Sequence, residues 1–279
     1  MNKKTIRNAV VLTLAAIILV TGSVLTTMAY LLSSAKVSNV FTIGNVAIEM
    51  FESPVTPEGE YVDGFNPETQ RKTADTNSYR LVPGSTYTKD PTIYIKQGSE
   101  PSLLFAKIKN QITNLEVDPA DETTMTMREQ MEKNGWIRIG QGKKNGDWIY
   151  LFTGSKTPIE KNITSIDYFN NLVKVVPYAI EEVEVDLFEN FTLSDNCNLH
   201  EDYSQAPSFE VTITAYAIQD TNFKSGENEF LSLEEILNAW NEIPAHNSNE
   251  VGNEFDIDTM KDFLEAHYVV APAAAEAQN

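Results

Sequence analysis

The sequence predicts an all-β protein, a jelly-roll or β-sandwich with long loops and one or two short C-terminal helices. Three observations carry that reading. Short runs alternate apolar and polar residues, the period of a half-buried strand. Turn residues such as Pro83-Gly84 and Asn145-Gly146 punctuate those runs. Strong helical periodicity is confined to the last fifth of the chain, so helices would cover a face or edge of a sheet already formed.

The chain opens with Lys3, Lys4 and Arg7, followed at 9–20 by a run that is apolar except for Thr13. Thr27 and Ala29 put small side chains three and one residues before Tyr30. That is the layout of a secretory signal peptide at 1–29, cleaved ahead of Tyr30. The alternative is an uncleaved anchor, because apolar residues continue through Val24 and Leu25. Thr21-Gly22-Ser23 interrupts that span, and crossing a bilayer takes about 20 predominantly apolar residues.

Immediately afterwards the odd positions include Leu31, Ala35, Val37, Phe41 and Ile43, while the even positions are mainly polar. After Gly44 the apolar face changes parity to Val46, Ile48 and Met50. Side chains alternate faces along a strand, so Gly44-Asn45 is expected to supply a bulge, bend or break. Residues 30–45 then form a separable strand, and 14 extended residues reach roughly 46 Å. The simpler reading keeps 36–51 as one bulged edge strand of a monomer.

The body, 46–223, offers strands on both sides of Pro83-Gly84, in "SLLFAKIKN" and in a hairpin around Asn145-Gly146. "NLVKVVPYAI" and "EEVEVDLFENF" are shorter candidates. "FEVTITAYAIQ" aligns Phe209, Val211, Ile213, Ala215 and Ala217 on one face, and Tyr216 with Ile218 implies that its later half is covered on both sides. Loops at 52–77 and 194–207 are polar excursions between strands. "TMREQMEK" reads as a surface helix. The region 224–268 holds a helix capped by Ser232 and Glu235 with a Leu233, Ile236, Leu237, Trp240, Ile243 stripe, then a second with Met260, Phe263, Leu264 and His267. Residues 269–279 form a small, polar tail.

The first 29 residues hold three basic and no acidic groups, leaving 18 Lys+Arg against 40 Asp+Glu, a net charge of −22. Such a field disfavours nucleic acid and anionic membrane, so membrane contact is expected only before signal cleavage. The lone Cys197 excludes an internal disulfide. His200, His246 and His267 do not form a His-Glu-x-x-His pattern, and no nucleophile elbow or phosphate loop occurs. No cofactor is expected. Acidic stretches at 118–122 and 256–262 leave weak calcium binding open, without EF-hand spacing.

Four stretches together resemble one family. "TTMAYLLSSAKVSNVFTIGNVAIEM" is similar to the junction processed by SipW-type signal peptidases, with a first strand directly after cleavage. "RLVPGSTYTKDPTIYI" carries its Pro83, Gly84, Lys89, Asp90 and Pro91, "LLFAKIKNQI" the next strand, and "VTITAYAIQ" its Ala215-Tyr216-Ala217. These motifs cover about a quarter of the chain, in the order found in the TasA/camelysin group of Gram-positive bacteria. The resemblance implies a secreted jelly-roll protein of the biofilm matrix or cell surface. It would assemble with itself, or with other matrix or surface proteins, into fibres by lending its N-terminal strand to a neighbour. Camelysin-like members imply a surface metalloprotease instead, which the missing zincin motif opposes. A membrane-tethered monomeric adhesin is the third reading.

Overall fold

A computed structural model describes residues 45–117, 124–141, 147–197, 209–219, 230–243 and 256–270, and the main chain of 32–43. The first strands are β1 (Leu32–Ile43), β2 (Ile48–Phe51), β3 (Thr76–Arg80), β4 (Thr86–Thr88), β5 (Thr92–Ile95) and β6 (Ser102–Asn110). Helix α1 (Met127–Lys133), β7 (Trp136–Gln141), β8 (Trp148–Phe152) and a 3-10 helix (Ile166–Asn171) follow. Then come β9 (Val183–Asp186), β10 (Asn190–Thr192), β11 (Glu210–Gln219), α2 (Leu233–Glu242) and α3 (Ile257–Tyr268). The expected all-β class is what the chain adopts, mostly in antiparallel sheets with few short helices.

One six-stranded sheet, ordered β3-β1-β11-β6-β8-β7, forms the middle layer. On one side lie a three-stranded sheet, β2-β5-β9, and the β10-β4 pair. The core between them takes Leu104, Ala106 and Ile108 from β6, and Val211, Ile213, Ala215 and Ala217 from β11. Ile93 and Ile95 of β5, Tyr87 and Phe191 fill it from the facing side. A second core lies on the other face of the large sheet. Leu103, Phe105, Ile149, Leu151 and Tyr216 meet Leu233, Ile236 and Trp240 of α2 and Met260 and Leu264 of α3 there.

Two covered faces explain why "SLLFAKI" is apolar at consecutive positions rather than strictly alternating. They also explain β11, whose alternation gives way to four buried residues from Ala215 to Ile218. Tyr216 reaches the ring of Trp240 with centroids 5.7 Å apart. The helices are thus one of three layers, and their capping box is present: Ser232 accepts from Glu235 N, and the Glu235 carboxylate accepts from Ser232 N.

One expectation needs correction. "NLVKVVPYAI" forms no strand; Val176 makes only an isolated bridge with Ser102. Its side chains are already committed, with Val173 and Val175 in the second core and Val176 in the first, and Pro177 has no N–H to extend a ladder. Helix α1 forms where expected, with Arg128 and Lys133 on its solvent side. Met127 and Met131 are both buried in the first core, one turn apart. The Asn145-Gly146 turn and most of the 194–207 loop lie outside the described residues, although β7 and β8 pair antiparallel as a hairpin requires.

Candidate functional site: the N-terminal strand and its anchorage

β1 lies between β3 and β11 over its first half and pairs with β11 alone beyond Lys36. It pairs parallel with β11 from Ser34–Glu210 to Ile43–Ile218, and antiparallel with β3 from Leu32–Arg80 to Lys36–Thr76. The alternative of a single bulged strand over 36–51 is corrected, because β1 ends at Ile43 and β2 belongs to another sheet. Four residues separate β1 from β2, and across them the chain passes from the middle sheet to the facing one. A change of sheet, with Asn45 in the crossing, accounts for the parity change after Ile43. Asn45 N–H donates to the Gln219 side chain at 2.7 Å, which ties the crossing to the end of β11. Gly44, Tyr30, Leu31 and the cleavage positions Thr27 and Ala29 lie outside the described residues.

A separate irregularity lies within β1 itself. Register slips between Val37 and Val40. Ala35 and Val37 stand in the rows of Val211 and Ile213, which line the first core. Beyond the slip Val40 takes the row of Ala215, while Phe41 and Ile43 share the rows of Tyr216 and Ile218 in the second core. By main-chain register, Ala35 and Val37 precede the slip and Phe41 and Ile43 follow it, and an extra residue reverses the alternation of every later position.

The Lys89-Asp90-Pro91 stretch locks the chain just beyond β2. Lys89 Nζ lies 2.7 Å from Glu52 Oε2, with both side chains wholly buried. Asp90 accepts from Ser53 N at 2.8 Å and from Ser53 Oγ at 2.6 Å. Lys72 Nζ reaches the Asp90 carboxylate at 3.1 Å, and Asn77 Nδ2 donates to Ser53 O at 2.8 Å. Burial pushes the Glu52 carboxyl above its ordinary range, with Lys89 acting in the opposite sense. Pro91 O accepts from Leu187 N at 3.0 Å, joining the stretch to the chain after β9. Glu52, Ser53 and Lys72 are partners of this stretch that sequence reading missed. Nothing distinguishes them among so many charged residues until the loop folds back.

Pro83-Gly84 makes the turn between β3 and β4, closed by Ser85 N donating to Val82 O at 3.2 Å. Gly84 has φ +76°, and a Cβ there would run into the Asp195 side chain. Pro before a positive-φ Gly is the composition such a turn demands. Ala215 and Ala217 lie on the first-core side of β11 and Tyr216 on the helix side. The motif positions are therefore dispersed, Lys89-Asp90-Pro91 against the chain just after β2 and Ala215-Tyr216-Ala217 beside β1.

Among the described residues no group of three His, Cys, Asp or Glu side chains could hold a metal ion, and no helix is long and apolar enough to cross a membrane. His200, His246 and the 118–122 stretch fall outside the described residues. Asp256 caps α3 by accepting from Thr259 N at 2.7 Å. His267 is exposed in the last turn of α3, stacks on Phe263 at 4.0 Å and bonds through Nδ1 to Phe263 O. Cys197 is half-buried and free. No family model, curated protein or solved structure matches the chain.

Proposed function

We propose that this is a secreted, non-enzymatic jelly-roll protein that builds or decorates extracellular fibres, each subunit lending β1 to its neighbour. One observation carries the reading: β1 is a 12-residue strand paired with β11 from Ser34 to Ile43 and with β3 from Leu32 to Lys36, and joined to the body by a four-residue crossing. A strand that completes its own sheet can complete an identical sheet in another copy with the same hydrogen bonds, as in domain swapping. Withdrawing it opens the β11 edge and leaves β3 without its partner strand, so the vacated slot favours refilling. The Glu52–Lys89 and Ser53–Asp90 contacts grip the chain one residue beyond β2, where tension along a donated strand would arrive.

Such assembly requires export with a freed N-terminus by a SipW-type peptidase, since a leader ahead of β1 would block insertion. Localisation is accordingly the extracellular matrix or surface of a Gram-positive cell. Self-association is the primary partnership, with other matrix or surface proteins as further partners.

A cross-link tests the exchange. Ala35 and Val211 are register partners, so Ala35→Cys with Val211→Cys, in a Cys197→Ser background, reports which chain fills the slot. Oxidised monomers should be internally linked and unable to polymerise until reduced. Fibres oxidised after assembly should yield covalent multimers on denaturing gels. Fibres containing only intrachain links would end the donation mechanism. Absence of fibres under all salt conditions would favour the monomeric adhesin.

A further inference from the structure

A cavity of about 340 Å³ opens at one end of the first core, remote in sequence from the β1 hinge. Its apolar wall includes Ile108, Met127, Met131 and Phe188, and the exposed residues Thr113 and Asn114 stand at its mouth. Arg138 of β7 also lines it, yet is only 6% exposed. Its Nε has no hydrogen-bond partner, and its guanidinium makes no ion pair among the described residues. It lies instead over the Trp148 ring at 4.0 Å and the Phe263 ring at 5.3 Å. The neighbouring charges relieve it only in part, through attraction to Glu132. Glu132 already accepts from Arg128 Nε at 2.9 Å and from Tyr268 OH at 3.1 Å, and Arg128 adds repulsion.

A buried guanidinium without a counter-charge is strongly unfavourable, and arginine does not escape by losing its proton. The arrangement therefore calls for an anion, and its surroundings select the kind. Glu116 lines the same cavity and accepts from Met127 N at 2.9 Å, so a dianion would meet a second carboxyl. Burial pushes that carboxyl up to about 7, which lets it donate to a bound oxygen in its protonated form. Aromatic and thioether side chains supply an apolar bed, and the volume falls in the range of small-molecule sites.

We propose that the cavity binds a small monocarboxylate with an aromatic or aliphatic body, its carboxylate held by the fork of Arg138 and its apolar part lying against Met127, Met131 and Phe188. The site is independent of strand donation. Its chemistry is recognition: a planar two-oxygen anion fits two guanidinium N–H groups, which a single ammonium cannot match.

The test uses benzoate and, at equal ionic strength, inorganic phosphate, titrated into protein expressed from the whole chain. Calorimetry and tryptophan fluorescence read binding, since Trp148 sits beside the guanidinium. Benzoate should saturate one site, and phosphate should bind at least tenfold more weakly. Arg138→Met should lose at least tenfold in benzoate affinity while melting no lower than the parent, because an unpaired charge has gone. Should that variant fail to fold, Arg138→Lys keeps the charge without the fork and should still lose tenfold. Three outcomes would overturn the proposal. They are no saturable benzoate binding, binding that survives either substitution, or equal affinity for phosphate. A less stable Arg138→Met together with no benzoate binding would assign the counter-charge to the chain's own acidic residues.

Discussion

Glu52 and Lys89 face each other with no exposed surface, so neither charge has water to fall back on. Lys89→Met leaves Glu52 buried alone and should cost about 3–5 kcal/mol in urea unfolding. Changing Glu52→Met as well removes both charges and should recover stability to within about 1 kcal/mol of the parent. Retention of the full loss in the double variant would mean that packing, not charge, governs the site. Glu116 gives a pH signature. Its folded pKa is raised from 4.5 to about 7, mainly by burial. The native state therefore binds more protons than the unfolded chain, and stability falls as pH rises between those values. The difference amounts to roughly 3 kcal/mol once the rise is complete. Glu116→Gln should be close to the parent in stability near pH 4.5 and should exceed it by about that amount at pH 8. A pH-independent gap between the two would show that the carboxyl titrates normally.

At the scale of elements, helix α2 was legible from residues alone. Ser232, Glu235 and the apolar stripe give its start and its buried face, and the structure repeats them. Ser232→Ala should cost about 1 kcal/mol, measurable by chemical denaturation. The role of the helices was less legible. They cover Phe105, Leu151 and Tyr216, so a chain ending at 229 should expose a large apolar sheet face and precipitate or bind hydrophobic dye, rather than behave as a trimmed domain. β1 shows the opposite balance. Alternation announced a strand, but the slip between Val37 and Val40 leaves no local signal, because Ser38 and Asn39 are ordinary strand-compatible polar residues. Only the neighbouring β11 defines which residue is extra.

For the whole molecule, a charge of −22 after residue 29 opposes every encounter between copies. If β1 exchanges, fibre growth should accelerate from low to moderate salt as repulsion is screened, with the Debye length falling from about 30 Å at 0.01 M to about 10 Å at 0.1 M. Light scattering at several salt concentrations checks this, and salt-independent growth would argue against charge as the barrier. Because β1 starts in its own sheet, growth should also show a lag that preformed fibre ends abolish.

Taken alone, the residues determined what local physics determines. Alternation and turn chemistry made the chain all-β, side-chain caps set the helix starts, and the acidic excess defined its field. The Lys89-Asp90-Pro91 stretch was visible as a motif, but its partners Glu52, Ser53 and Lys72 were not. Arg138 was one apolar-flanked cation among many until β7 placed it against Trp148 without a counter-charge. Tertiary structure alone decided that β1 takes β11 and β3 as partners, where its register slips, and which charges lose contact with water. The physical reason is common to all three. Periodicity tells a side chain which way to point, whereas pairing and burial depend on segments distant in sequence that meet only when the chain has folded.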